Sequence, residues 1–375
     1  MTVSATSVTL IAAPGSSLQT AFNFDRLTDA DSVIAQKTSS SLIIEVDGLR
    51  YAFSGSNVRY NSLDEPIDGT ITGITISQGS SVVFQVGGLS LSAPVFYQAT
   101  FAPNNPLNLV LGGNDELRGG DLSDDLEDML GHNVLMGGGG FDVLVTGEGN
   151  DHIYGQSPAG GADGGDLILA GGGADYINGN AGVDTIYGGD GSDRIQGGAD
   201  DDRMWGETGN DTMNGNRGND SVDGGEGNDS LRGGQGDDTI EGSFGNDVLA
   251  GDLGQDRLSG GSGQDIFIFA AGSNSVERPD RVSDFDRADD HLSIGFVPEA
   301  VLASTTIQTS VAAAGATAQQ MIDARVGTHE VVALSTANGT FLFWASAGQT
   351  IDSAIQVING PTPPSPTLFS PDDFI

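Results

Sequence analysis

The chain has 375 residues, of which 52 are acidic and 14 basic, so its formal net charge is −38 at pH 7. This charge repels phosphate backbones and excludes nucleic acid as a direct partner. Cysteine is absent and histidine occurs only four times, which excludes disulfides and argues against a zinc or copper site. The sequence contains no run of about eighteen apolar residues, so no membrane-spanning helix is predicted.

Residues 1–105 are predicted to form an N-terminal β domain. Residues 1–20 lack a basic region ahead of their short apolar run, so they do not match a cleaved secretory signal. Residues 40–55 and 69–91 alternate apolar and polar positions between turn residues, which is typical of strands. The simplest interpretation is a domain that covers the open end of the next region. A module for surface glycans or a self-association surface is the alternative.

The central region repeats with a period of nine residues. Each frame has an aspartate, with an apolar residue two positions after the aspartate and a glycine two positions before the aspartate. The exception is the frame of Asp202, in which Asp200 replaces the glycine. Twelve aspartates keep this spacing: Asp166, Asp175, Asp184, Asp193, Asp202, Asp211, Asp220, Asp229, Asp238, Asp247, Asp256 and Asp265. Disorder gives no reason for such a period, so a solvated, disordered tract is a poor alternative.

The same frame extends upstream in a weaker form. Asp142 and Asp151 fit it, and an insertion of six residues, about residues 155–160, separates them from Asp166. Three earlier frames keep the period but lose most of the glycines: Asp115, Asp124 and Asn133. Atypical end units are expected in a stacked array, because its ends face water.

The spacing predicts a coil of two short strands and two turns, with residues n and n+18 stacked at about 4.8 Å. Asp202 then lies over Asp184, and bare carboxylates at that distance repel each other. A calcium ion between the two carboxylates turns this repulsion into attraction, because calcium prefers carboxylate and backbone carbonyl oxygens as ligands. Glycine permits the positive φ that exposes carbonyls, and an asparagine before the aspartate, as at Asn210 and Asn228, is predicted to tolerate the same conformation. A calcium-free solenoid is disfavoured by the net charge.

Four frames read GGDGSDRI, GGEGNDSL, GGQGDDTI and GGSGQDIF, and the pattern resembles the RTX (repeats-in-toxin) family of hemolysin-type calcium-binding nonapeptide proteins. The resemblance covers residues 106–269. It implies an all-β fold: a calcium-bound parallel β-roll, flanked by the N-terminal β domain and a small mixed C-terminal cap. It also implies about ten to fifteen bound calcium ions. The predicted ligands are the twelve aspartates with Asp142 and Asp151, and the turn glycines Gly189, Gly191, Gly225, Gly227, Gly234, Gly236, Gly261 and Gly263.

The array is predicted to stop after Phe269 and to be followed by a capping region, residues 270–357. Residues 283–294 resemble the segment that closes many RTX arrays and can add a calcium site there. On that resemblance Asp284 and Asp290 are further predicted ligands, with Asp280 as a third candidate. A helix is predicted from Ala312 to Arg325, and two strands are predicted at residues 330–334 and 340–345.

Residues 358–375 are predicted to be a Pro-rich linker and a C-terminal tip. The last six residues, Ser370 to Ile375, place acidic residues before a short apolar end. They resemble the uncleaved signal with which RTX proteins leave the cell through type I secretion machinery. The resemblance therefore implies an extracellular protein. Weak calcium sites fill only at roughly 0.1–1 mM calcium, so the repeats are expected to bind calcium outside the cell.

No catalytic site is recognised in the sequence. His329 and Glu330 begin a zinc-protease H-E-x-x-H motif, but Ala333 occupies the second histidine position, and no G-x-S-x-G elbow is present. His132, His152 and His291 are interpreted as surface or packing residues. The sequence thus predicts a non-enzymatic, secreted structural protein of a surface layer, a biofilm matrix or an adhesin. Its partners would be calcium, the secretion machinery, and cell-surface polysaccharide or further copies of itself. The alternative is a secreted RTX hydrolase with an unrecognised site in the N-terminal domain.

Overall fold

The structure, a computed structural model, forms two compact units, residues 1–181 and 182–375. It describes residues 9–12, 33–37, 41–46, 49–60, 66–78, 81–92, 114, 116–119, 123–156, 164–270, 273, 275–296, 298, 300–308, 310–323, 330–345, 350–358 and 369–375. Asp115, His329 and the linker at residues 360–366 lie outside these ranges. In the part of the chain that is described, no helix is long and apolar enough to cross a membrane.

The first unit begins with an antiparallel sheet. Its strands are β1 (Thr9–Ala12), β2 (Val33–Lys37), β3 (Ser41–Val46), β4 (Leu49–Tyr60), β5 (Pro66–Gln78) and β6 (Ser81–Ser92). They lie in the order β2-β3-β4-β5-β6-β1, so the first strand of the chain is placed next to the last strand of the group. The predicted β structure of this region is confirmed for these strands.

The same unit continues as stacked coils. Their strands are β7 (Glu116–Arg118), β8 (Asp125–Leu130), β9 (Val134–Gly138), β10 (Val143–Glu148), β11 (His152–Gln156), β12 (Leu167–Leu169) and β13 (Tyr176–Ala181). Odd-numbered strands pair in parallel in one sheet and even-numbered strands in the other, and β1 pairs with β7. Leu144 lies opposite both Leu126 and Ile168, although the second pairing spans six more residues than the first. The insertion therefore leaves the register of the stack intact.

The second unit repeats the same coil. Its strands are β14 (Thr185–Asp190), β15 (Arg194–Ala199), β16 (Arg203–Thr208), β17 (Thr212–Arg217), β18 (Ser221–Glu226), β19 (Ser230–Gln235), β20 (Thr239–Phe244), β21 (Val248–Leu253), β22 (Arg257–Ser259), β23 (Ile266–Ile268), β24 (Asp280–Val282) and β25 (His291–Ser293). Each strand from β14 to β23 pairs in parallel with the second strand after it. The apolar residue of each frame, such as Ile186, Met213 and Leu258, is at most 1% exposed. The parallel β-roll is thus confirmed.

The sequence pattern predicts that the coils stop after Phe269, and this prediction is wrong, because two further strands continue the stack. β24 pairs with β22 and β25 pairs with β23, both in parallel. Val282 and Leu292 are fully buried in the positions that the apolar residue of a frame occupies. The sequence does not reveal these frames because longer segments precede them, which shifts both out of the nine-residue period.

The remaining elements of the second unit are β26 (Ala300–Gln308), α1 (Val311–Asp323), β27 (Glu330–Thr336), β28 (Gly339–Trp344), β29 (Ser353–Val357) and a 3₁₀ turn (Pro371–Asp373). The predicted helix and both predicted strands are confirmed within a few residues. Ala314, Ala318 and Ile322 of α1 pack on Phe341 and Phe343 of β28. β29 pairs in parallel with β24, so this small core continues one sheet of the coils.

Candidate metal centre

A ladder of buried aspartates runs through each sheet of the second unit. In one sheet, the Oδ1 atom of Asp220 accepts the backbone N–H of Asp202 at 2.8 Å. In the other, Oδ1 of Asp229 accepts that of Asp211 at the same distance. The two ladders are Asp184, Asp202, Asp220, Asp238, Asp256, Asp280 and Asp193, Asp211, Asp229, Asp247, Asp265, Asp290. Each carboxylate therefore holds the coil that precedes it.

The first unit carries the same arrangement. Oδ1 of Asp166 accepts the N–H of Asp142 at 2.8 Å, and Oδ1 of Asp175 accepts that of Asp151 at 2.7 Å. Asp142 in turn accepts the N–H of Asp124 at 2.7 Å. The weak upstream frames thus belong to the ladder even where their glycines are missing.

The second carboxylate oxygen of a ladder aspartate, Oδ2, differs from Oδ1 in its hydrogen bonding. Among the described residues, the Oδ2 atoms of ten ladder aspartates are buried and have no hydrogen-bond partner: Asp151, Asp202, Asp211, Asp220, Asp229, Asp238, Asp247, Asp256, Asp265 and Asp280. A buried charge without a partner destabilises a fold by several kcal/mol as a rough order of magnitude. The orphaned oxygens therefore call for a cation.

A small space beside a glycine receives eight of these oxygens, those of Asp202, Asp211, Asp220, Asp229, Asp238, Asp247, Asp256 and Asp265. Oδ2 of Asp220 and the carbonyl oxygen of Gly233 both lie within 2.6 Å of the point where a Cβ on Gly215 would stand. Asp247 and the carbonyl oxygen of Gly260 converge in the same way beside Gly242. Any residue larger than glycine would fill the space in which the two kinds of oxygen meet.

The oxygens in this space fit calcium. Carboxylate and backbone carbonyl oxygens are its preferred ligands, and its coordination geometry is flexible. In the described ranges, no three His, Cys, Asp or Glu side chains are grouped so that they could hold a metal ion. A bound ion would therefore take few carboxylates at each site, such as Asp220, and would draw its other ligands from backbone carbonyls, such as that of Gly233.

Burial changes the acidity of the ladder. Burial is the largest cause that raises the pKa of Asp202, Asp211 and Asp238 to about 7; the N–H that each accepts lowers the pKa, and neighbouring carboxylates add to the rise. The same burial raises the pKa of Asp280 to about 8. A cation between the coils would favour the ionised form of each group.

The turn glycines adopt the predicted backbone conformation. All eight glycines predicted as ligands have positive φ, from 95° at Gly261 to 141° at Gly227. Asp200, which replaces the usual glycine, also has positive φ, at 80°. Residues with a Cβ rarely adopt this conformation, so the turn favours glycine at these positions.

The asparagines before the ladder aspartates have another role than predicted. Among the described residues, the non-glycine residues with positive φ are Asn180, Asp200, Glu207, Asn216, Ser243 and Asp252, and none of them immediately precedes a ladder aspartate. Instead, Oδ1 of Asn210 accepts the N–H of Asn228 at 2.7 Å, and Asn228 accepts that of Asn246 at 2.7 Å. These asparagines form a second, exposed ladder, here called the outer ladder. The recurrence of a side-chain oxygen at this position was the signal for it.

The two predicted ligands of the cap lie in different places. Asp290 occupies a ladder position, and its Oδ1 accepts the N–H of Asp265 at 3.1 Å. The carboxylate of Asp284 instead accepts the Ser259 hydroxyl at 2.7 Å and the N–H groups of Gly260 and Gly261 at 3.1 and 2.8 Å. This geometry makes Asp284 a cap on the last turn, and its role as a metal ligand stays a prediction.

Three of the four histidines lie in the described part of the chain. His132 is exposed, and its Nδ1 accepts the N–H of Asn150 at 2.6 Å, so it serves as a member of the outer ladder. His152 is exposed and packs its ring 5.8 Å from that of Tyr176. His291 is half-buried on β25. All three positions agree with the packing and surface roles expected from the sequence.

The repeat region is similar in sequence to a known family. A family model described as the RTX calcium-binding nonapeptide repeat (4 copies) matches residues 129–157, 160–195, 187–222, 214–249, 223–258 and 241–276. The solution structure of the AlgE6R3 subunit from the Azotobacter vinelandii mannuronan C5-epimerase is 25% identical, with a TM-score of 0.27, over 42% of this chain and 80% of that one. A comparison with curated proteins finds no match. Residues 129–157 and 160–276 are therefore RTX calcium-binding nonapeptide repeats.

Proposed function

We propose that this chain is a secreted structural protein whose repeats fold when they bind calcium outside the cell. The observation that supports this most directly is the set of buried Oδ2 atoms without hydrogen-bond partners, such as those of Asp220 and Asp238. Without a cation, their burial opposes folding; with calcium bound, the same oxygens become ligands. Binding free energy then becomes folding free energy, as in other metal-dependent folds.

The place of action follows from the calcium concentration. Weak sites fill at roughly 0.1–1 mM calcium, which is far above the cytosolic level. A chain of net charge −38 stays expanded there because its carboxylates repel one another. We infer that the unfolded chain leaves the cell through type I secretion machinery, which recognises its C-terminal tip. The chain then folds outside the cell. It would then be extracellular or attached to the cell surface.

The proposed work of the folded protein is structural. The ladders link successive coils, and their proposed dependence on calcium suits a component of a surface layer, a biofilm matrix or an adhesin. The N-terminal sheet of β1 to β6 is proposed to carry attachment, either to a cell-surface polysaccharide or to another copy of the chain. No catalytic role is proposed for it.

Immunolocalisation in the native cells tests the proposal. We expect the protein to remain with the cells or their matrix in millimolar calcium and to be released by a chelator. An otherwise identical chain that lacks residues 1–105 should be exported but should not attach. If the wild-type protein is found free in the medium at all calcium levels, the structural role is wrong, and an enzyme acting in clarified medium becomes the better explanation.

A further inference from the structure

The last seven residues are packed against the final coil instead of projecting from it. Phe369 and Phe374 are 6% and 4% exposed, and Asp373 is also buried. The ring of Phe369 stacks on that of Phe285, with centroids 6.0 Å apart and planes at 21°. We call residues 369–375 the C-terminal segment. The position of the tip after a Pro-rich linker predicts that it lies outside any core, and this prediction is wrong.

Backbone and charge contacts fix the C-terminal segment in one register. Phe374 forms a parallel bridge with Leu292, and the N–H of Ile375 donates to the carbonyl of Leu292 at 3.0 Å. Arg287 donates from Nε to Oδ1 of Asp373 at 3.0 Å, and the arginine side chain is 32% exposed. The C-terminal segment thus covers the edge of β25 that the next coil would otherwise occupy.

The surface that receives it depends on a ladder aspartate. Residues 285–292, here called the end platform, contain Phe285, Arg287 and Leu292. Asp290 binds this platform to the last coil, because its Oδ1 accepts the N–H of Asp265 at 3.1 Å while its Oδ2 accepts the N–H of Asp286 at 2.7 Å. When the coils are unfolded, the end platform has no fixed shape to offer.

We infer that the C-terminal segment is a calcium-dependent closure: it docks on the end platform only after the coils have folded, so the chain hides its own C-terminus in calcium and exposes it in chelator. Seven residues hold no structure alone, because short segments cannot offset their conformational entropy. Any factor that recognises the C-terminus would therefore bind only the unfolded chain. This inference rests on the docking contacts and does not require the proposed secretion route.

Hydrogen exchange of the purified full chain tests the closure. In calcium, the amides of residues 373–375 should exchange at least about tenfold more slowly than in chelator, since a docked amide must open before it exchanges. Phe374→Ala should remove that protection in calcium while the strand signal of the coils persists. Ile375→Ala is the matched control, because Ile375 is 47% exposed and its amide is retained.

A second pair of variants covers the case in which Phe374→Ala fails to fold. Arg287→Ala removes the contact with Asp373, and Arg278→Ala removes a comparable ion pair with Asp237, which does not touch the C-terminal segment. We expect faster exchange at residues 373–375 only in Arg287→Ala. Free exchange of the wild-type segment in calcium, equal protection in chelator, or an equal effect of Arg278→Ala would each overturn the inference.

Discussion

Oδ1 of Asp238 accepts the backbone N–H of Asp220 at 2.8 Å across one full coil. One oxygen of the carboxylate thus joins two coils, while the other is buried without a hydrogen-bond partner beside a glycine. The same side chain sets the register of the stack and is a predicted metal ligand. Folding of one coil and calcium binding at its neighbour would therefore be coupled through each ladder aspartate.

Calcium titration of the purified chain should show this coupling. We expect a steep transition from coil to β structure by circular dichroism, reversed by chelator, with about ten to fifteen ions bound at millimolar calcium. The steepness follows because each coil contacts only its neighbours, so folding propagates along the array. Magnesium at the same concentration is the control and should not replace calcium. A chain equally ordered in chelator would refute calcium-dependent folding.

The inner face of the coils can be tested separately from the ladder. Met213 is 1% exposed, so Met213→Asp buries a charge without a partner and should destabilise the calcium-bound fold by roughly 3 kcal/mol or more. Thr212→Asp places the same charge on the adjacent exposed position and should cost little. Asp220→Ala should fall between them, with local loss of calcium. Chemical denaturation at saturating calcium gives the ranking, and a folded, fully stable Met213→Asp would show that the inward assignment is wrong.

The turn at Asp200 offers a stabilising change. Its φ of 80° is unfavourable for a residue with a Cβ, so Asp200→Gly should stabilise the calcium-bound fold by about 0.5–1 kcal/mol. Gly218→Ala tests the same turn position in the opposite direction, because its φ is 143° and its Cβ would overlap the carbonyl oxygen of Asp200. Thermal denaturation should raise the Tm of the first variant and lower that of the second. Two shifts of the same sign would contradict the conformational argument.

Much of the roll could be predicted because its geometry is periodic. The aspartate, the apolar residue and the turn glycines recur at fixed spacing, and stacking at n+18 follows from two units per coil. Asp280 and Asp290 escaped this reasoning in part, because the segments before them break the period while the pairing of strands continues. The geometry of strand pairing tolerates such loops, whereas a count of residues does not.

Other features required side-chain positions that spacing alone does not give. The outer ladder of Asn210 and Asn228 looks, in sequence, like a choice of turn-forming residue, and only the stacked coils reveal the acceptor role. The docking of the C-terminal segment could not be predicted either, because Phe369 contacts Phe285 and Phe374 pairs with Leu292, each about eighty positions earlier in the chain. Long-range contacts of this kind leave no local pattern.

Acidity should affect the metal-free chain in a defined direction. Burial raises the pKa of Asp202, Asp211 and Asp238 to about 7, whereas in the unfolded chain each is near its ordinary value of about 4. Between these values the folded ladder binds more protons, so its metal-free stability is present at low pH and is lost as the pH rises through about 7. In chelator, strand signal should therefore increase from about pH 8 to about pH 5. No increase would contradict the burial of ionisable ladder groups.

Deletion of residues 371–375 separates export from folding. The deletion removes Phe374 and the contact of Asp373 with Arg287, so the purified chain should still fold in calcium, because the coils are intact, but with a lower Tm. If the C-terminal tip is the export signal, the deleted chain should also accumulate inside the cell. Arg287→Ala is the matched control, since it weakens the same docking contact but leaves residues 371–375 unchanged. We expect Arg287→Ala to be exported normally, measured as the secreted fraction of total protein.

Normal export of the deletion would contradict a C-terminal signal. Retention of both variants would mean that the docking contact, and not the sequence of the tip, is what export requires.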